Sequence, residues 1–170
     1  MELLDSPPCL KRIPWAPVNI VALGDVQYGS EGCDVDKLHR YIDESLARDA
    51  YFVGMGDMHD FLSTSNRKKL LASGLYDTAE RLIEEWAMQH VDELKEILRP
   101  TKGRWIGMVE GHHFYEFTDG GTTDTELCRF LGSPFLGTTG MVRLQFVKTW
   151  AGESKSNPKV ASCDLWIHHG

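Results

Sequence analysis

Residues 50–60 read Ala-Tyr-Phe-Val-Gly-Met-Gly-Asp-Met-His-Asp. Ala50 to Met55 is a short apolar run of the kind that forms a strand buried on both faces. Charge arrives directly after it: Gly56-Asp57-Met58-His59-Asp60 places two carboxylates and an imidazole at the end of that strand. Open α/β sheets build their ligand sites at the carboxyl ends of their strands. Carboxylates and imidazoles converging there are what a divalent cation requires.

The pattern recurs along the chain. Val18 to Gly24 is a second apolar run and leads into Gly24-Asp25-Val26-Gln27. Arg104 to Val109 is a third, followed by Gly111-His112-His113, and Cys163 to His169 is a fourth, closing on His168-His169-Gly170. Between the first two strands, Asp34 to Asp49 is expected as a helix with Asp34 as its N-cap and an apolar stripe of Val35, Leu38, Tyr41, Ile42 and Leu46. Strand, helix and strand in that order make a parallel, right-handed unit. A second helix is expected from Asp77 to about Leu98, with Ala79, Leu82, Ile83, Trp86, Val91, Leu94 and Ile97 at helical spacing and Pro100 to stop it. Thr125 to Leu131 reads as a short helix after the Gly-rich loop Phe114 to Thr123. Met141 to Trp150 alternates at Val142, Leu144 and Phe146, as a half-buried strand does, and Ala151 to Pro158 is a polar turn. Helices early and antiparallel strands late predict an α/β fold with a second sheet packed on the first.

The 170 residues amount to one domain with a core of ordinary size, and a net charge of -7 argues against a broadly basic nucleic-acid surface. Four cysteines, Cys9, Cys33, Cys128 and Cys163, form no CxxC pair, which points away from a zinc knuckle or redox dithiol and toward a reducing compartment. Residues 1–17 hold four prolines and read as an extended lead-in to a domain spanning 18–170. They lack the pattern of a secretory signal, and no apolar run approaches the ~20 residues of a membrane helix. The expectation is a soluble, cytoplasmic protein.

In order, these clusters resemble the calcineurin-like metallophosphoesterase superfamily, whose motifs run D-x-H, G-D-x-x-D, G-N-H-(D/E), a strand ending in H-G, and G-H-x-H. Asp25 matches the first, Asp57 and Asp60 the second, Gly111 and His113 the third, and His169-Gly170 the fourth. The resemblance implies an α/β/β/α sandwich of two packed mixed sheets flanked by helices. It implies two divalent metal ions, with Mn²⁺ favoured and Fe, Zn, Ni, Co and Mg as alternatives. Asp57 would bridge them, Asp25 and Gln27 would hold the first, and His112 and His169 the second. His113 would protonate the leaving group, and Asp60 would orient it and favour the imidazolium. A metal-bridging hydroxide would attack phosphomono- or diesters, nucleotides and nucleic acid being among the substrate classes.

The chain departs from the family pattern in three places. Gln27 stands where the family has His; an amide oxygen ligates hard cations but is a poorer donor to softer ones. His112 replaces Asn, which leaves open which member of the His112-His113 pair is the acid. The closing G-H-x-H is absent, so the sequence reads as a fragment interrupted within its second sheet.

Several residues carry plainer expectations. His59 is a spectator, His168 packs in or beside the core, His39 and His90 are structural or surface residues, and Trp86 and Trp105 belong to the core. Tyr115 is a candidate to line the cleft. The Arg67-Lys68-Lys69 run is a solvated face or a substrate-phosphate contact. Phe61 stands where the protein Ser/Thr phosphatases of the family have Arg, which disfavours a phosphoprotein substrate. The alternative to an enzyme is a non-catalytic binding scaffold of the same fold. A doubly wound nucleotide binder is disfavoured because the segment 24–29 lacks GxGxxG spacing.

Overall fold

The computed structural model describes residues 9–61, 77–148 and 159–170. Along them run β1 (Cys9–Pro14), β2 (Ile20–Leu23), α1 (Val35–Ala47), β3 (Tyr51–Gly54), α2 (Asp77–Leu98), β4 (Trp105–Met108), α3 (Thr123–Leu131), β5 (Thr139–Lys148) and β6 (Lys159–His168). The protein is therefore mixed α/β, with two small sheets and three helices among the described residues. The Arg67-Lys68-Lys69 run and the expected turn at 151–158 lie outside them. No helix among the described residues is long and apolar enough to cross a membrane.

The first sheet is parallel, in the order β2-β3-β4. The β2-α1-β3 crossover has the parallel form that the sequence predicts. Asp34 caps α1, its carboxylate accepting the Lys37 N–H at 2.8 Å. Leu38, Ile42 and Ser45 face inward from α1, whereas Tyr41 is 54% exposed although its spacing places it in the stripe. β2 differs from expectation too. It is an edge strand whose residues alternate between exposed and half-buried, because β3 flanks it on one side only.

Helix α2 has the expected bounds, and its buried face keeps Val91 and Leu94 of the expected stripe while adding Ala87 and Leu98. Ala87, Val91, Leu94 and Leu98, spaced by four, three and four, are fully buried. Leu82 and Trp86, both expected in the stripe, are 66% and 49% exposed. Ala79 and Ile83 are half-buried, and Trp86, though exposed, keeps an edge contact with Phe61 at 5.5 Å. Its last carbonyls pass into a 3-10 turn, Arg99–Thr101, at Pro100. Trp105 is in the core as expected; it stacks on Phe52 at 5.4 Å and donates from Nε1 to Thr101 Oγ1 at 2.8 Å. Thr122 caps α3 through a reciprocal bond with Thr125, and Gly132 ends it in the left-handed region that glycine adopts without strain.

The second sheet has the order β1-β5-β6. β5 and β6 are antiparallel over ten residue pairs, with Val142 and Leu144 fully buried. Cys9–Pro14, expected as part of an extended lead-in, is instead a strand paired in parallel with β5 from Cys9↔Val142 to Pro14↔Val147. Pro14 sits there without loss because β1 is an edge strand and its end needs no N–H.

Successive residues of a strand face opposite ways, and the parallel sheet uses both faces. Phe52 and Trp105 join Leu38, Ile42, Leu94 and Leu131 in one apolar cluster. Val53 and Ile106 join Ile13, Val142, Leu144 and Ile167 in another. Helix residues thus cover one side of β3 and β4, and residues of the second sheet cover the other. The carboxyl ends of β2, β3 and β4 are left to the loops.

Candidate metal centre

Those loops are tied to one another through the backbone. Asp25 N–H donates to Gly56 O at 3.1 Å, Gln27 N–H to Asp57 O at 3.0 Å, and Phe61 N–H to His113 O at 3.0 Å. Four non-glycine residues among those described have positive φ: Asp25 at 49°, Gln27 at 48°, Asp49 at 53° and Asp57 at 49°. Three of the four are candidate ligands. A left-handed backbone is tolerated by Asp and is less usual for Gln, and such conformers concentrate at functional sites.

The packing here is close enough to demand glycine. Gly56 has a φ of +89°, and a Cβ on it would stand 2.8 Å from His169 Nδ1. A Cβ on Gly111 would overlap Asp57 Oδ1. Glycine lets the two loops touch at the point where their ligands converge.

Asp57 is buried, and its two oxygens have separate tasks. Oδ1 accepts the N–H groups of His112 at 2.6 Å and His113 at 3.0 Å. Oδ2 faces His112 Nδ1 at 3.4 Å and His169 Nε2 at 3.3 Å. The two ring nitrogens are 3.0 Å apart. A cation with bonds of about 2.1 Å spaces its ligand atoms by about 3.0 Å at right angles and about 3.4 Å at tetrahedral angles. The three observed separations span that range. Asp57, His112 and His169 therefore form a group able to hold a metal ion.

His169 arrives one residue beyond β6. The alternation of that strand buries Ile167 and turns His168 outward, so His168 is exposed rather than packed beside the core as expected. His112 and His113 part company. While His112 joins Asp57, His113 Nδ1 lies 3.0 Å from Asp60 Oδ1 and 3.2 Å from Phe61 O. A carboxylate and a carbonyl can only accept, so Nδ1 carries the proton and Nε2 is the ring atom left for another partner. Asp25 is exposed and Gln27 half-buried; they reach this end of the sheet through backbone bonds, and the three-residue group does not include them.

His59 is 1% exposed, and neither of its ring nitrogens has a hydrogen-bond partner. Burial, with His90 and Lys95 nearby, lowers its imidazole to about 3, so it is neutral at physiological pH. Tyr115 turns its ring toward Phe61 and Phe117, at 6.2 Å and 5.4 Å. One residue of the site has no signal of its own in the sequence. Asp124, 2% exposed in the first turn of α3, accepts the Gly111 N–H at 3.4 Å, and burial raises its carboxyl to about 7. Its neighbourhood reads as a Gly-rich loop, and the threonine cap at Thr122 and Thr125 is the sign that a helix begins before it.

A groove of about 710 Å³ runs between β2 and α1, lined by Ile20, Leu23, Leu38 and Tyr41, and touches this region at Asp25. Charged residues line it as well, among them Asp34, Lys37, Glu44 and Arg48, and the Asp57, His112 and His169 group lies outside it. Comparisons of the chain with protein-family models, curated proteins and solved structures found no match.

Proposed function

We propose that this chain is a metal-dependent phosphoesterase that hydrolyses phosphomono- or diesters. The observation that carries the proposal is the cluster of Asp57 Oδ2, His112 Nδ1 and His169 Nε2, mutually 3.0 to 3.4 Å apart, with the His113–Asp60 pair beside it. In this reading two divalent cations, Mn²⁺ foremost, occupy the centre. His112 and His169 hold one, Asp25 and Gln27 the other, and Asp57 serves both. Asp57 Oδ1 accepts two backbone N–H groups, and its Oδ2 faces both imidazoles. Bound cations supply Lewis acidity that neutralises phosphate charge and acidifies water.

The chain's own groups divide the remaining work. His113 delivers a proton from Nε2 to the leaving oxygen, while Asp60 and the Phe61 carbonyl hold Nδ1–H and fix the ring plane. Gly56 and Gly111 keep the ligand loops in contact. The finer fold reading goes with this proposal: helices, parallel sheet, second sheet and outer layer as the α/β/β/α arrangement of metallophosphoesterases. Nucleotides or nucleic acid are substrate candidates within the phosphoester class, with the net charge of -7 favouring the smaller of them.

The test has two readouts on the chain and its Asp57→Asn variant. Mn²⁺ binding is measured by titration calorimetry, and turnover by chromogenic mono- and diesters. Mn²⁺ binding and Mn²⁺-dependent turnover, both lost in the variant, are the expected result. Absence of Mn²⁺ binding in the unmodified chain overturns the proposal; binding with no turnover of either ester class favours a scaffold.

A further inference from the structure

Adjacent side chains in the first turn of α3 grip the segment that carries His112 and His113 on both of its sides. Asp124 accepts the N–H of Gly111, the residue before the pair, at 3.4 Å. Thr123 Oγ1 accepts the N–H of Tyr115, two residues after the pair, at 3.2 Å, and the Thr123 N–H returns a bond to Tyr115 O at 3.0 Å. Both side chains are buried, at 2% and 0% exposure. From the opposite side Asp57 Oδ1 accepts the N–H groups of His112 and His113. Three consecutive backbone donors, at 111, 112 and 113, are thus divided between two carboxylates that belong to different elements.

That division has a geometric consequence. Asp57 alone could pivot with the loop, since it is both its anchor and a member of the cluster. A second anchor on a capped helix removes the pivot. Thr122 and Thr125 hold the turn from which Asp124 projects, and Leu127 and Leu131 seat α3 in the core. Burying a carboxyl group is unfavourable unless its oxygens meet hydrogen-bond donors. Serine or alanine at position 124 would avoid that cost, so its presence calls for a task that needs a long acceptor.

We propose that Thr123 and Asp124 are positioning residues, whose buried side chains lock the Gly111–Tyr115 loop so that His112 Nδ1 faces Asp57 and His169. They touch neither substrate nor cation. The inference rests on the proposed centre for its functional meaning, and its test is arranged to stand apart from it.

Amide hydrogen exchange is followed at 111–115 in the metal-free chain, together with Mn²⁺ affinity, for Asp124→Ala, Asp124→Asn and Thr123→Val. Deleting the acceptor in Asp124→Ala or Thr123→Val is expected to speed exchange in 111–115 by about 10-fold or more while amides of α3 beyond its first turn keep their protection. Mn²⁺ affinity should fall by about 10- to 100-fold, the range found when groups behind a ligand are removed. Asp124→Asn keeps an acceptor oxygen and should restore both. Should Asp124→Ala fail to fold, Asp124→Ser makes the same deletion with a residue suited to the start of a helix. Unchanged exchange at 111–115 in a folded deletion variant overturns the proposal, as does an Asn variant that behaves like the deletion. If the unmodified chain binds no Mn²⁺, the proposed centre fails, while the exchange measurement still decides whether the loop is locked from α3.

Discussion

His169 Nδ1 lies 2.7 Å from the carbonyl oxygen of Met55. A carbonyl accepts only, so the proton is on Nδ1 and the Nε2 lone pair is turned toward Asp57. A backbone atom at the end of β3 thereby sets the tautomer of a side chain brought from the end of β6. Metal-binding histidines are commonly oriented in this way by a second partner on the other ring nitrogen. The two sheets are linked at the site by this bond, which holds His169 ready for the partner it shares with His112.

Asp57→Asn should keep the loop and lose the cation. The amide oxygen of Asn can take the place of Oδ1 and accept the same two N–H groups, which puts the NH₂ where Oδ2 faces the imidazoles. A donor then points at the place of the cation. Mn²⁺ affinity is expected to fall by at least about 100-fold, beyond what loss of a supporting group costs, with a thermal midpoint close to the parent's in chelator. Calorimetry and melting curves on the same samples check both halves.

His113→Ala should separate binding from turnover. The His113 ring is held by Asp60 and Phe61, apart from the Asp57 cluster. Mn²⁺ affinity should change by less than about 3-fold, while kcat falls by about 10²- to 10⁴-fold, as expected for a lost general acid. The loss should shrink for ester substrates whose leaving groups need no proton. Equal losses with good and poor leaving groups would remove His113 from the acid's role.

Gly111→Ala should destabilise the fold beyond the ordinary cost of a small surface change. The added methyl overlaps Asp57 Oδ1 and also the Asp57 backbone nitrogen, which cannot swing aside as a side-chain end can. Overpacking of this kind costs about 1 to 3 kcal/mol. Gly103→Ala is the control: no atom lies near its Cβ, although its φ of +80° carries backbone strain of its own. Urea unfolding in chelator measures the difference, with Gly111→Ala expected to be the worse of the two and to lose Mn²⁺ affinity as well.

Acid should unfold the protein partly through His59. Its imidazole is lowered from 6.5 to about 3 in the fold, chiefly by burial. A base with a depressed pKa binds fewer protons folded than unfolded. Its stabilising effect is complete above 6.5 and is lost as pH falls toward 3, at a slope of about 1.4 kcal/mol for each pH step of one. His59→Leu removes that dependence and the two unpartnered nitrogens. Between pH 7 and pH 4.5 the variant should lose less stability than the parent in chelator, by a margin of about 1 to 3 kcal/mol. Parallel curves for the two proteins would show that His59 does not titrate on unfolding.

Much of this arrangement is legible in the sequence because it is local. The apolar runs at 50–55 and 104–109 became β3 and β4, and Asp34 caps α1 in its expected place. Periodicity says which positions are apolar, and it is silent on which part of a stripe meets a neighbour. Trp86 and Leu82 fall outside the core for that reason, while Val91 and Leu94 of the same stripe are buried, joined by Ala87 and Leu98. β1 gives little sign of itself, because a short strand among prolines has no strong pattern and exists through its pairing with β5, more than a hundred residues away.

For the site, the residues themselves and their position after strands can be read directly, because carboxylates and imidazoles at strand ends are a matter of order along the chain. The sequence alone determined that Asp57, His112, His113 and His169 would stand at such ends. Tertiary structure decided what each one faces. The register that brings β6 past Gly56, the Met55 carbonyl that selects the His169 tautomer, the separation of His112 from His113, and the buried acceptor at Asp124 all depend on contacts between separate elements. Such contacts are set by how two sheets and a helix pack. No local pattern encodes them, because each segment satisfies its own periodicity equally well in more than one mutual arrangement.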